Sequence, residues 1–265
     1  MYNVIKAQKY QLVRDNFTYI AFFCGFVMMW AFLLISSEDG FHMNEAKASG
    51  YIANGGASVI ATYLMLVFTT RICGDDLKDK TINYEMLTGR KRSTAYFGRL
   101  FVSVAVGVIV YLVFCILPVI VIGAVYGWGY TMPVNEGVKR LVLDFIPLLR
   151  LICVFACITF ITRSPLGSVA LGFILTLIES LFIMLSDEQM LPFGIEKLAP
   201  FLSMASSSVI ATYNMKMDYI DGKDVGVVKD MLSANTVIML VVSGIIACIV
   251  FSLLGYTVFR KKDMD

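Results

Sequence analysis

A single histidine, His42, stands among 265 residues, so metal centres and catalytic relays built on several imidazoles lack their ligands. The six cysteines are Cys24, Cys73, Cys115, Cys153, Cys157 and Cys248. None forms a C-x-x-C pair and five lie in apolar runs, which argues against a secreted disulfide framework. No G-x-x-x-x-G-K-S/T string occurs, so the chain has no P-loop with which to bind ATP. Charge is scarce too: Asp, Glu, Lys and Arg make up 16% of the chain, against roughly 25% in an ordinary soluble domain. A formal net charge of +2 is too small for a nucleic-acid binder. What remains is oily. Hydrophobic residues reach 58% and the mean hydropathy is +0.77, more apolar surface than a soluble fold of this size hides. The same figures exclude disorder.

A membrane-crossing helix needs about 20 mostly apolar residues. Six stretches qualify: roughly 17–36, 51–72, 101–126, 141–162, 165–185 and 236–259. The first exceeds the short apolar core of a signal peptide and is read as a retained span. The fold class expected is therefore all-α, one polytopic membrane domain over 1–265. With the N-terminus inside, fourteen Lys and Arg fall on the inner side and seven outside, which favours two cytoplasmic termini. Residues 1–16 place Tyr2, Ile5 and Leu12 near one helical face, with Lys6 and Lys9 beside it. They predict a short interfacial helix, the alternative being a solvated tail. Residues 186–235 form a long outer segment. Leu198 to Tyr213 is too short and polar to cross, and predicts helices at the outer surface. Asp218, Asp221, Asp224 and Asp230 lack calcium-loop spacing and read as a solvated acidic loop.

The inner loop, 73–100, carries the most information. Thr81 is placed to cap a helix, Ile82, Tyr84, Met86 and Leu87 give that helix apolar surface around Glu85, and Gly89 suits its left-handed end. Arg90, Lys91 and Arg92 follow, where lipid phosphates would meet them, and Ser93 or Thr94 is placed to cap the next helix. So short a helix is not stable alone in water, and its apolar residues suit a partner's groove. From pattern alone an ordinary basic loop remains open.

The same stretch resembles the cytoplasmic loop of ABC-2 type permeases of ATP-binding cassette exporters. Their pattern, gT-I/L…L…G/P-x-S/R-R followed by Y-x-x-G/S-K/R-L, is met by Lys80-Thr81-Ile82, Leu87, Gly89-Arg90-Lys91-Arg92-Ser93 and Tyr96-Phe97-Gly98-Arg99-Leu100. The departures are the unusually basic Arg90–Arg92 and an Arg99 where Lys is frequent. The resemblance implies that residues 81–87 form a coupling helix seated on a separate ATPase subunit. It also implies a permease homodimer in the plasma membrane. The partner would bind ATP and Mg, leaving this chain with no cofactor and no catalytic residues. Relatives of similar length and hydropathy resemble peptide-antibiotic immunity and peptide-export permeases, which makes a peptide-like substrate the expectation. Besides the ATPase, the second copy and the substrate, the partners expected are membrane lipids.

Three charges lie inside predicted spans: Asp144 and Arg150 in the fourth, Glu179 in the fifth. Each costs roughly 2.5–3.5 kcal/mol on insertion scales, so partners are expected. A very short connection makes these spans antiparallel neighbours, which predicts an Arg150–Glu179 pair; Asp144 is assigned to Arg140, one turn away. Pro118 and Pro147 predict kinks, and Ser164-Pro165 a clean helix start. A gradient-driven transporter, an intramembrane enzyme and a receptor or scaffold are the other classes. The first would need midplane sites and repeats, and the second a nucleophile–base pair.

Overall fold

The computed structural model describes residues 2–38, 47–79, 81–187, 197, 199–212, 215–220, 223–228 and 231–261. Lys80, Asp221 and Asp230 lie outside them. Helices dominate because only a helix satisfies its own backbone within one apolar segment. Among the described residues, four helical stretches are long and apolar enough to cross a membrane: 92–126, 134–162, 165–185 and 234–261.

Helices α1 (Tyr2–Arg14) and α2 (Asn16–Glu38) meet at Asp15 with a 65° bend, and together qualify as a fifth, bent stretch. Asp15 ends one helix and starts the next. Its carboxylate accepts the Phe17 N–H at 3.1 Å, and its carbonyl that of Thr18 at 3.0 Å. Residues 2–14 are thus a docked helix and not a solvated tail. Val4 is buried against Gly98, and Ile5 and Leu12 pack on the core.

The stretch expected as one span at 51–72 is two helices, α3 (Ala48–Asn54) and α4 (Gly56–Lys78). Gly55 separates them at φ +61°, a backbone that glycine adopts without strain. Helix α4 continues to Lys78 and α6 (Arg92–Tyr111) starts early, so the inner loop shrinks from the expected 73–100 to 79–91, with α5 (Thr81–Leu87) inside it. Lys91 holds the N-cap position of α6 with no side-chain bond, so neither Ser93 nor Thr94 caps it.

A π-helical turn (Leu112–Ile116) joins α6 to α7 (Leu117–Tyr126). The irregularity expected at Pro118 is this turn. Pro118 has no N–H to offer the Phe114 carbonyl four residues back, and the Tyr51 hydroxyl of α3 donates to it at 3.2 Å instead. Helix α8 (Val134–Thr162) runs on through Pro147 and is the most enclosed of the four long stretches. It packs closely on α6, since a side chain at Gly107 would meet Ile152. Arg163 turns the chain at φ 55°, and the Ser164 hydroxyl caps α9 (Pro165–Asp187) by accepting the Gly167 N–H at 3.3 Å, as expected.

Part of the segment expected on the outer side is helical, α10 (Ser203–Thr212). The stretch expected as a solvated loop instead holds strands β1 (Met215–Ile220) and β2 (Lys223–Val228), paired antiparallel with Met215 opposite Val228. The Val228 N–H donates to the Thr131 carbonyl at 2.8 Å, and Val228 is buried, so the hairpin is fastened to the connection after α7. Helix α11 (Ala234–Lys261) closes the fold against α8.

Candidate functional site

Helix α5 stands on two side chains. Ile82 is buried in a cluster with Cys73, Tyr96, Leu100, Ala156, Phe160 and Phe259, and Met86 packs against its edge. The other face is bare: Tyr84 is 71% exposed and Leu87 82%. Gly89, at φ +83°, donates to the Met86 carbonyl at 2.9 Å and ends the helix as expected. Thr81 differs from expectation. Its hydroxyl donates to Asp76 at 3.0 Å, tying α5 to the end of α4 instead of capping its own helix.

Under α5 lies a buried guanidinium. Arg99 on α6 is wholly enclosed, and its Nη2 and Nε reach Asp76 Oδ2 at 2.6 and 3.0 Å. Its Nη1 donates to Glu85 at 3.2 Å and to the Ala95 carbonyl at 3.2 Å. The same Asp76 oxygen accepts from Gln8 of α1 at 2.6 Å. One charge cluster therefore joins α1, α4, α5 and α6. Close by, Arg71 bridges Asp15 of the α1–α2 bend (3.0 Å) to Asp75 (3.1 Å) and lies over the Phe17 ring. Sequence reasoning assigned Glu85 to the site but missed Arg99 and Asp76. Their signal was an arginine inside an apolar helix start, within reach of an acidic run. Two of the three basic residues after α5 are engaged by protein: Arg90 by Glu85 at 3.7 Å, and Arg92 by the Arg260 carbonyl at 2.6 Å. Lys91 is exposed.

The charges within α8 and α9 converge on α10. Arg150 and Glu179 make no ion pair within 4.0 Å. Glu179 accepts the Met204 N–H at 2.8 Å at the start of α10, and Arg150 donates to the Pro200 carbonyl at 3.1 Å. Asp144 accepts from the Ser207 hydroxyl and not from Arg140. Arg140, wholly buried, donates to the carbonyls of Ile210 (3.1 Å) and Ala211 (2.9 Å) and sits 3.4 Å from Glu136. Glu136 also accepts the Leu232 N–H at 2.8 Å. The pairing expected between side chains is thus a set of side-chain bonds to one short helix and its flanks. Backbone groups there are unsatisfied in an apolar setting, and charged partners bond them strongly. Among the described residues no cluster of three His, Cys, Asp or Glu is suited to a metal ion.

A family model described as ABC-2 family transporter protein matches residues 5–179. The chain belongs to this family. It is an ABC-2 type permease, a multi-pass membrane component of an ABC transporter, and this family carries no ATPase domain of its own. Permeases of this family work in general with a partner ATPase subunit. No curated protein matches the sequence. The family match takes in most of α1 through most of α9, and with them α5, Arg99 and the Ile82 cluster except Phe259; α10, the hairpin and α11 fall beyond it.

Proposed function

We propose that this permease is half of the membrane part of an ATP-driven exporter, a homodimer served by two separate ATPase subunits. In this reading α2, α4, α6–α7, α8, α9 and α11 are six spans, both termini are cytoplasmic, and α1 lies on the inner surface. Helix α5 is the coupling helix. The partner binds ATP and Mg, its closure pushes α5, and the Arg99 cluster passes that displacement to α4, α6 and α1. The substrate is amphipathic or hydrophobic, a peptide first, moved out of the cell or membrane.

One observation carries this reading: a seven-residue helix pinned from beneath by Ile82 and Arg99 leaves Tyr84 and Leu87 bare. An aromatic and a leucine standing in solvent beside a charged clamp suit a partner's pocket, where such anchors dominate binding. The test is co-expression and co-purification with a candidate ABC ATPase subunit. Tyr84→Ala with Leu87→Ala should weaken the complex by at least about thirtyfold, the cost of one interface hot spot. It should also remove substrate-stimulated ATP hydrolysis. Unchanged association and stimulation would overturn the assignment of α5.

A further inference from the structure

A cavity lies against α1, lined by Ile5, Lys9 and Leu12 of that helix. It has a volume of about 520 Å³ between α1, α2 and α6, and its walls include Ile5, Leu12, Phe22, Phe101 and Ile109. Lys9 is the one charged residue of its lining. Water does not fill such a space, because a stable water needs two to four polar partners. Nor does a close-packed protein keep a void of this size. The cavity is open, bounded by α1, bent 65° from α2, and by the apolar α2 and α6, and its lining residues Tyr19, Phe101 and Ile109 are exposed. With α2 and α6 as spans, as proposed above, lipid borders that opening. Charge narrows the choice further. Helix α1 carries Lys6, Lys9 and Arg14 with no acidic residue, and Lys6 and Lys9 are three apart, on one face.

We propose that the groove holds one acyl chain of an anionic phospholipid, kept as a resident lipid, with Lys9 and Lys6 facing its phosphate. The chain fills the space under α1, and the headgroup neutralises a helix that has no acid of its own. The topology proposed above decides only that lipid borders the groove and that the cytoplasmic leaflet supplies it. The site stands without the coupling role of α5, so losing one reading does not lose the other.

The full-length permease, held in nanodiscs of phosphatidylcholine mixed with phosphatidylglycerol and released for native mass spectrometry, tests this. Wild type should retain one phosphatidylglycerol per chain in preference to phosphatidylcholine. Lys9→Gln, a change at an exposed position, should cut that preference about fivefold, from the roughly 1 kcal/mol a basic residue supplies near an anionic surface. Ala105→Trp, which puts an indole into the groove, should lose the retained lipid of either class while eluting as wild type on size exclusion. Should Ala105→Trp misfold, Lys9→Gln decides alone. Retention of phosphatidylcholine as readily as phosphatidylglycerol by wild type, an unchanged preference in Lys9→Gln, or undiminished lipid in a folded Ala105→Trp would each overturn the proposal.

Discussion

Replacing Arg99 by methionine keeps an unbranched apolar stem and removes the charge and the hydrogen-bonding fork. The wild-type guanidinium is wholly buried and holds Asp76 through two bonds, Glu85 through one and the Ala95 carbonyl through another. Taking one partner from a fully buried charge pair costs about 3–5 kcal/mol. Here the acids are not stranded. The side chains of Asp76 and Glu85 are 14% and 21% exposed, Asp76 keeps Gln8 and Thr81, and Glu85 keeps Arg90. The expected loss is therefore about 2–3 kcal/mol. At roughly 2–4 °C per kcal/mol for a chain of this size, thermal unfolding in detergent should shift down by about 4–12 °C. Arg99→Lys, which keeps the charge but not the fork, should lose less. Asp76→Asn should weaken the protein more than Glu85→Gln, because Asp76 receives the two shorter bonds. Protease cleavage at 88–91 should speed up as α5 loses its tether. The reasoning fails if Arg99→Met melts within a degree of wild type. It fails equally if the losses of Arg99→Met and Asp76→Asn add within about 0.5 kcal/mol, the behaviour of sites that do not touch.

Glu179→Ala strips the Met204 N–H of its acceptor and should loosen α10 by about 2 kcal/mol, read as faster thiol labelling of a Ser208→Cys reporter; unchanged labelling would remove the capping role. Tyr51→Phe leaves the Phe114 carbonyl beside Pro118 without a donor and should cost about 1–3 kcal/mol in thermal stability; no loss would mean that this bond does not matter. A Cβ at Gly107 would lie 2.3 Å from Ile152 Cδ1, so Gly107→Ala should lower stability by about 1–2 kcal/mol. Adding Ile152→Val, which deletes that methyl, should recover the loss, and failure to recover would show that another contact is at fault.

Apolar periodicity and length located the long helices, because lipid solvation demands long apolar runs whatever the neighbours do. Helix α5 was legible for a different reason: its boundary residues carry local chemistry, with Gly89 at its left-handed end. The break at Gly55 was not legible, since apolar residues flank it on both sides and a single glycine looks the same in a continuous span. The hairpin at 215–228 was hidden by its aspartates, which suggested a solvated loop although strand pairing needs only backbone groups. The charges inside α8 and α9 were correctly marked as needing partners, but the partners were misassigned. Arg150, Arg140 and Glu179 are satisfied by main-chain carbonyls and an N–H of residues 200–211, and main-chain groups leave no mark in a sequence. Arg99 was hidden by its setting, a residue that reads as the polar rim of a span until Asp76 and Glu85 are brought beneath it by the turn of α5.

The order in which a ribosome releases the chain gives the docking of α10 a further meaning. Glu136, Arg140, Asp144 and Arg150 emerge on one helix, and beyond the Glu136–Arg140 contact the groups that hydrogen-bond them lie 50 to 96 residues later. Until those arrive, α8 is a poor lodger in hydrocarbon, held by water, by the insertion machinery or by the interface. The end of this permease that holds α10 is consequently finished last and from its C-terminal end. A truncation that spares every earlier helix would leave the Glu136–Arg140 contact but strip Asp144 and Arg150 of the Ser207 hydroxyl and the Pro200 carbonyl.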